Sequence, residues 1–428
     1  MLIVRGGSVV TPGGVVRADV GIVDGAIAAV EPDLAGATAE IDARGLHVFP
    51  GGLDPHVHFN EPGRTHWEGL RTGSAALAAG GFTAFFDMPL NSTPPTTDGA
   101  AFDAKLAAAR RESCLDFGLW GGLVPGARLE ELAERGVIGF KAFMSHPGTE
   151  DYARADDATL YDGMATAARL GRLVAVHAEN DALTARLRGP SARDHLASRP
   201  LVAELEAIGR AIAFAEDTGC SLHIVHVSCG RGVALVTAAR ARGVDVTCET
   251  CPHYLVLSSD DVEALGAVAK CAPPIRERAE QSALWERLRA GEVDFVTSDH
   301  SPSSPELKAG AFGDAWGGIA GGQSTLELLL GELAPETLAR LLADAAAARF
   351  GIVRKGRVAV GFDADLALVA LDSPYTLRAE DLRSRHKLSP YVGRAMVGRV
   401  VRTLLRGRDP APGAGSLLTP ERERIPAI

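Results

Sequence analysis

His56 and His58 stand one residue apart at the end of the apolar run Gly51-Gly52-Leu53-Asp54-Pro55-His56-Val57-His58-Phe59. In an extended strand residues two apart project to the same side, so both imidazoles face one way. Imidazole is the commonest protein ligand for zinc-like divalent metals, although two hydrogen-bonded histidines on a half-buried strand would give the same spacing. Four further strand-like runs also carry residues that bear on metal binding: Gly139–Phe143 with Lys141, Leu173–His177, Leu222–His226 and Asp294–Asp299. Lys141 is the odd member, because an ammonium cannot coordinate a cation. A buried lysine has a depressed pKa, and its neutral amine adds carbon dioxide to form a carbamate whose two oxygens can bridge two metals. The plainer alternative is a lysine that snorkels to the rim or pairs with Asp299.

Taken together, these residues describe a hydrolytic centre. His56, His58 and Asp299 would hold the more buried of two divalent ions, His177 and His226 the more exposed one, and carboxylated Lys141 would bridge them. Such a pair retains net positive charge, polarises a carbonyl and holds water as hydroxide near neutral pH. Asp299 would be both ligand and catalytic residue, taking the proton and passing it to the leaving nitrogen. Opening of a cyclic amide needs these operations and no organic cofactor. Zinc is the first expectation for the metal; cobalt, manganese and iron accept the same donors. His223 is out of phase with His226 and is expected to be structural.

Eight strands are expected, at about 53–59, 82–88, 116–123, 137–144, 172–178, 221–227, 244–250 and 293–299. Stretches rich in Ala, Leu, Glu and Arg, such as Ala101 to Arg111 and Glu204 to Asp217, read as amphipathic crossover helices. Repeated β-then-α order predicts a TIM-type (β/α)8 barrel over 48–351, with the functional side chains at the C-terminal strand ends. The chain ends differ: both alternate apolar and polar residues, with Asp24-Gly25 as a hairpin turn. Residues 1–47 and 352–428 are therefore expected to pair into a small, discontinuous β-sandwich domain.

Composition fits an α/β enzyme. Apolar residues make up 46% and charged residues 23% of 428 residues, which excludes a disordered chain. A net charge of −10 with no basic run argues against a nucleic-acid partner. No segment reads as a signal peptide or a membrane span, so a cytoplasmic protein with no membrane partner is expected. Six scattered cysteines suit a reducing compartment, and Cys248-x-x-Cys251 falls on a barrel strand, where packing explains it better than zinc or redox chemistry.

The set His56-Val57-His58, Gly139-Phe140-Lys141-Ala142-Phe143-Met144, His177-Ala178-Glu179-Asn180, His226-Val227-Ser228 and Ser298-Asp299-His300-Ser301-Pro302 resembles the cyclic amidohydrolases of the amidohydrolase superfamily over nearly the whole chain. Within that group the segments Phe59–Gly69, Asp87–Ser92, Glu249–Tyr254, Lys270–Arg276, Ala315–Ile319 and His386–Arg394 are most similar to the allantoinases. The resemblance implies hydrolysis of a small cyclic ureide, allantoin to allantoate, by a homo-oligomer (dimer or tetramer). It also implies substrate contacts from Asn60, Asn91, His253, Ser301, Trp316 and Gly317. Dihydroorotases usually carry arginine two residues after the His-x-His, where this chain has Asn60; Arg64 could still reach a substrate carboxylate or serve to order its loop. Hydantoinases and dihydropyrimidinases usually carry an oxyanion-stabilising tyrosine five residues after the bridging lysine, where this chain has His146. Those enzymes are the alternative reading. A non-catalytic scaffold on the same fold is the alternative of another class, and the intact ligand set speaks against it. The chain departs from the family pattern after Leu330, where the region is short and Ala345–Ala348 replaces the usual Asn-Pro-Ala. That departure touches the last barrel helix rather than the ligands.

Overall fold

Alternating apolar and polar residues at the N-terminus form five strands, β1 (Leu2–Thr11), β2 (Gly14–Val23), β3 (Ala26–Glu31), β4 (Ala39–Asp42) and β5 (His47–Pro50). β2 turns into β3 through Asp24 and Gly25, both at positive φ (50° and 80°). This is the backbone a two-residue hairpin requires, and Asp-Gly supplies it at low steric cost. The computed structural model describes residues 1–186 and 189–421.

Nine strands follow in alternation with helices: β6 (Gly52–Val57), β7 (Phe82–Asp87), β8 (Asp116–Leu119), β9 (Gly121–Gly122), β10 (Phe140–Phe143), β11 (Val174–His177), β12 (Leu222–Ile224), β13 (Val246–Thr250) and β14 (Phe295–Val296). Every pairing among them is parallel, in two ladders, β6-β7-β8 and β9 through β14 in sequence order. β8 and β9 are halves of one expected strand, interrupted at Trp120, whose indole N–H donates to the Pro55 carbonyl at 2.9 Å. A parallel bridge between Val57 and His300 links the last ladder back to the first. Each strand is shorter than expected at its C-terminal end or ends there, because the residues beyond it leave the ladder to build the site.

The crossover helices are bounded by local signals. Asp157–Leu170, for example, starts at Asp156, whose carboxylate accepts the Thr159 N–H at 2.9 Å, and stops at Gly171 in the left-handed region (φ 61°). The alanine run near 345 also has a packing reason. Ala346 and Ala347 are buried in one cluster with Leu53, Ala84, Trp120, Ala175 and Phe350.

At the C-terminus come β15 (Leu366–Ala370), the short pair β16 (Tyr375–Thr376) and β17 (Ala395–Met396), and β18 (Arg399–Leu404). β15 pairs antiparallel with both β5 and β18. The two ends of the chain therefore share one seven-stranded mixed sheet, ordered β18-β15-β5-β1-β2-β3 with β4 beside β1. It has its own apolar cluster, including Val4, Val20, Val48, Leu366 and Leu404. Lys355 Nζ joins this sheet to the parallel strands: it lies 2.6 Å from Asp116 at the start of β8, 2.9 Å from Asp363 and 2.6 Å from Asp365. Residues 422–428 of the expected terminal domain lie outside the described residues.

Candidate active site

The C-terminal ends of β6, β10 and β11 and the loops after β12 and β14 bring the six expected ligands together. Asp54 sets the first of them, accepting the His56 N–H at 3.1 Å and the Ser298 N–H at 3.1 Å, so that β6 and the segment leading to Asp299 are tied side by side. The buried Glu249 carboxylate pairs with His56 Nδ1 through one oxygen and with His223 Nε2, at 3.0 Å, through the other. His56 Nε2 is thereby turned toward Asp299 Oδ1 at 3.3 Å, and His58 Nε2 lies 3.4 Å from the same oxygen. The second pair is built the same way: Glu179 Oε2 is 2.9 Å from His177 Nε2, leaving His177 Nδ1 2.9 Å from His226 Nε2. A carboxylate behind a histidine fixes its tautomer and raises its basicity as a ligand.

Donor atoms of His56, His226 and Asp299 all lie within 4.8 Å of one another, a spacing that can hold a cation. Burial lowers the pKa of His58 and His177, and that of His226 far more, which keeps these rings in the neutral, coordinating form. Burial alone would raise Asp299, but the surrounding imidazoles, His56 first, hold it at about 2, so it is an anion. Lys141 is fully buried among these residues. Its Nζ has no hydrogen-bond partner among the described residues, it makes no ion pair with Asp299, and burial pushes its pKa down to about 7. Neither the snorkelling nor the ion-paired lysine describes it. A donor set of imidazoles, one carboxylate and one amine without a hydrogen-bond partner among the described residues suits a pair of divalent ions better than a proton network, since such a buried amine is costly.

Four non-glycine residues here adopt positive φ: Asn60 (63°), Asn91 (65°), His226 (40°) and Asp299 (43°). Such backbone costs on the order of 1–3 kcal/mol per residue and persists where surrounding structure enforces it, commonly at functional sites. His226 lies beyond β12, which ends at Ile224. The His223 ring and the His226 backbone N–H both meet Glu249, whereas the two rings have different neighbours, Phe295 for His223 and His56 and His177 for His226. His223 is structural, as expected, with Nδ1 on Thr247 at 2.9 Å and its ring stacked on Phe295.

Above the ligands opens a cleft of about 800 Å³, lined among others by Asn91, Ser301, Trp316 and Gly317. Asn60 and His253 are buried near it rather than in its wall; the Asn60 amide donates to the Pro302 carbonyl at 3.2 Å. Buried polar atoms here lack hydrogen-bond partners among the described residues: Asn91 Oδ1, Trp316 Nε1, Asn60 Oδ1 and both His253 ring nitrogens. The Trp316 loop is held by two lysines. Lys308 donates to the carbonyls of Ala267, Trp316 and Gly318 at 3.0, 2.8 and 2.6 Å, and Lys270 to those of Phe312, Gly313 and Ala315 at 2.7, 2.8 and 2.7 Å. Arg64 pairs with Asp151 at 2.8 Å and lies over Trp67, so it orders loops. His146 is on the rim, largely exposed, its Nδ1 accepting the Gly148 N–H at 3.1 Å. Cys248 and Cys251 are buried free thiols.

Asp54, Glu179, Glu249 and Arg199 do work that the sequence alone did not assign. Glu179 carried a signal, since it stands two residues after His177 and so on the same side of an extended segment. Glu249 ends a strand as the ligands do. Arg199 carried none.

A profile described as the amidohydrolase family matches residues 47–408. An allantoinase from Rubrobacter xylanophilus is 60% identical, over 99% of this chain and 98% of its own length. One from Deinococcus radiodurans is 53% identical over 95% and 94%. Among solved structures, the L-hydantoinase (dihydropyrimidinase) of Arthrobacter aurescens superposes with a TM-score of 0.93 at 34% identity, covering 98% of this chain and 99% of that one. The dihydropyrimidinase of Brevibacillus agri gives 0.89 at 32% identity, covering 98% and 99%.

Proposed function

The chain belongs to the amidohydrolase family, and from that footing we propose that it opens the hydantoin ring of allantoin by hydrolysis to give allantoate. The observation that carries this reading is the convergence of four imidazoles, Asp299 and the Lys141 amine beneath a cleft in whose wall Asn91 Oδ1 and Trp316 Nε1 have no hydrogen-bond partner among the described residues. Allantoinases at 53% and 60% identity support the substrate, whereas the hydantoinase-type structures stand at 34% and 32%. His146 in place of a tyrosine, exposed on the rim, also favours allantoin over the dihydropyrimidinase alternative. Asn60 stands where a dihydroorotase would carry arginine, and Arg64 is paired with Asp151.

His56, His58 and Asp299 would hold one divalent ion and His177 and His226 the other, with Lys141 as N6-carboxylysine between them; zinc is our first choice. When bound, the ions supply Lewis acidity to the ring carbonyl and to water. Asp299, held as an anion by its imidazole neighbours, accepts a proton from the attacking water and returns it to the ring nitrogen as the amide bond breaks. Glu249 and Glu179 hold the rings of His56 and His177 in register throughout. Asn91, Ser301, Trp316 and Gly317 face the substrate from the cleft wall, and Asn60 and His253 support it from behind.

We assign residues 48–351 to a closed (β/α)8 barrel and residues 1–47 with 352–428 to the terminal domain. No helix among the described residues is long and apolar enough to cross a membrane; we place the enzyme in the cytoplasm as a dimer or tetramer, which light scattering of purified protein tests. The function is tested by incubating zinc-loaded protein with allantoin and following ring opening to a free carboxylate by NMR. Ring opening that a chelator abolishes and zinc restores is expected, and intact allantoin with fully metal-loaded protein overturns the reading.

A further inference from the structure

Arg199 stands outside every motif of the sequence, directly after the helix Ala192–Ser198. It is fixed from two sides. Its main-chain carbonyl accepts from Arg276 Nη1 at 2.6 Å, and its own Nη1 pairs with buried Glu179, whose Oε2 is also the partner of His177 Nε2 at 2.9 Å. The side chain is 19% exposed and lines the same cleft as the ligands.

Among the described residues the guanidinium makes no other hydrogen bond. A guanidinium carries five N–H donors in a rigid fork, so with Nη1 on Glu179 others remain available to a group bound in the cleft that Arg199 lines. The neighbouring basic groups of this wall are already engaged. Lys270 donates to three loop carbonyls at 2.7, 2.8 and 2.7 Å, and His195 Nε2 pairs with the Cys271 carbonyl at 2.8 Å. Arg199 therefore offers this wall a fixed, charged donor edge close to the metal ligands, and what fits such an edge is a carbonyl oxygen with high electron density. A urea carbonyl is one, and the ureido tail is what distinguishes allantoin from plain hydantoin.

Resting on the reaction proposed above, we infer that Arg199 determines specificity: its open guanidinium edge donates to the carbonyl oxygen of the substrate's ureido tail, while Nη1 holds Glu179 and, through it, His177. A ring without the tail leaves that edge facing solvent.

The test is kcat and KM for allantoin and for hydantoin, measured on zinc-loaded wild type, Arg199→Lys and Glu179→Gln. Lysine keeps a positive charge beside Glu179 but lacks the fork. In Arg199→Lys the ratio of kcat/KM for allantoin to that for hydantoin is expected to fall about ten- to a hundredfold, carried mainly by a rise in KM for allantoin. Glu179→Gln, which loosens His177, should lower kcat for both substrates together and leave the ratio within about threefold. If the lysine variant does not fold, Arg199→Gln provides the same ratio. A proportional loss on both substrates in the arginine variants overturns the inference and leaves the allantoin reading standing. A wild type that opens hydantoin but not allantoin removes both.

Discussion

Lys141 is the residue on which the metal chemistry turns. Its amine is buried without a hydrogen-bond partner among the described residues, a state that costs free energy unless the group is converted to one that the site can use. Lys141→Ala should bind little zinc and lose activity, and short carboxylic acids should restore part of both; elemental analysis showing full metal content in the variant would contradict the bridging role. Glu249 tests the layer behind the ligands. It holds His56 and His223 at once, so Glu249→Gln should weaken zinc binding about ten- to a hundredfold in a chelator competition, and an unchanged affinity would mean that His56 needs no such support. At this scale the sequence was informative where side-chain type and strand spacing coincide, as at His56, His58 and His177. It was silent about Arg199, because nothing local links a helix-terminal arginine to a carboxylate twenty residues earlier. The left-handed backbone at His226 was not legible, because it is a property of the loop and its packing, which no two-residue period describes.

At the scale of elements, strand ends were legible and loops were not. Strand positions followed from β-branched and aromatic runs, whereas the 301–320 loop has its form from Lys270 and Lys308, whose six carbonyl contacts replace a ladder. The loop also depends on a close approach. A Cβ at Gly318 would lie 2.2 Å from the Ser301 carbonyl oxygen, while Gly318 N–H donates to the Lys270 carbonyl at 2.8 Å. Gly318→Ala must push the Trp316 segment off Ser301. The expected result is a raised KM for allantoin with zinc content at the wild-type level, and steady-state kinetics with parallel metal analysis checks it. Unaltered kinetics would show that the segment does not need this contact to shape the cleft.

Across the whole molecule, alternation at both ends of the sequence implied that they pair, and the shared seven-stranded sheet follows that pattern. What alternation could not convey is how the sheet is fastened to the parallel strands, since Lys355 meets Asp116 from a point more than two hundred residues away. The lysine is 4% exposed between three carboxylates; Arg406 also pairs with Asp116 and Arg354 with Asp363, so Lys355→Met leaves buried Asp365 without its ion pair. A loss of about 3–5 kcal/mol is expected from breaking such a pair, read as a lower urea midpoint, and an unchanged midpoint would rule the fastening out. The central claim is the choice of allantoin by a site whose fold is shared with solved hydantoinases. It is tested most directly by kcat/KM of one zinc-loaded preparation on allantoin, hydantoin, dihydrouracil and dihydroorotate side by side. The account predicts that allantoin is turned over with the highest kcat/KM and that hydantoin, which leaves the polar groups of the cleft unpaired, is poor; a preference for hydantoin or dihydrouracil would contradict it.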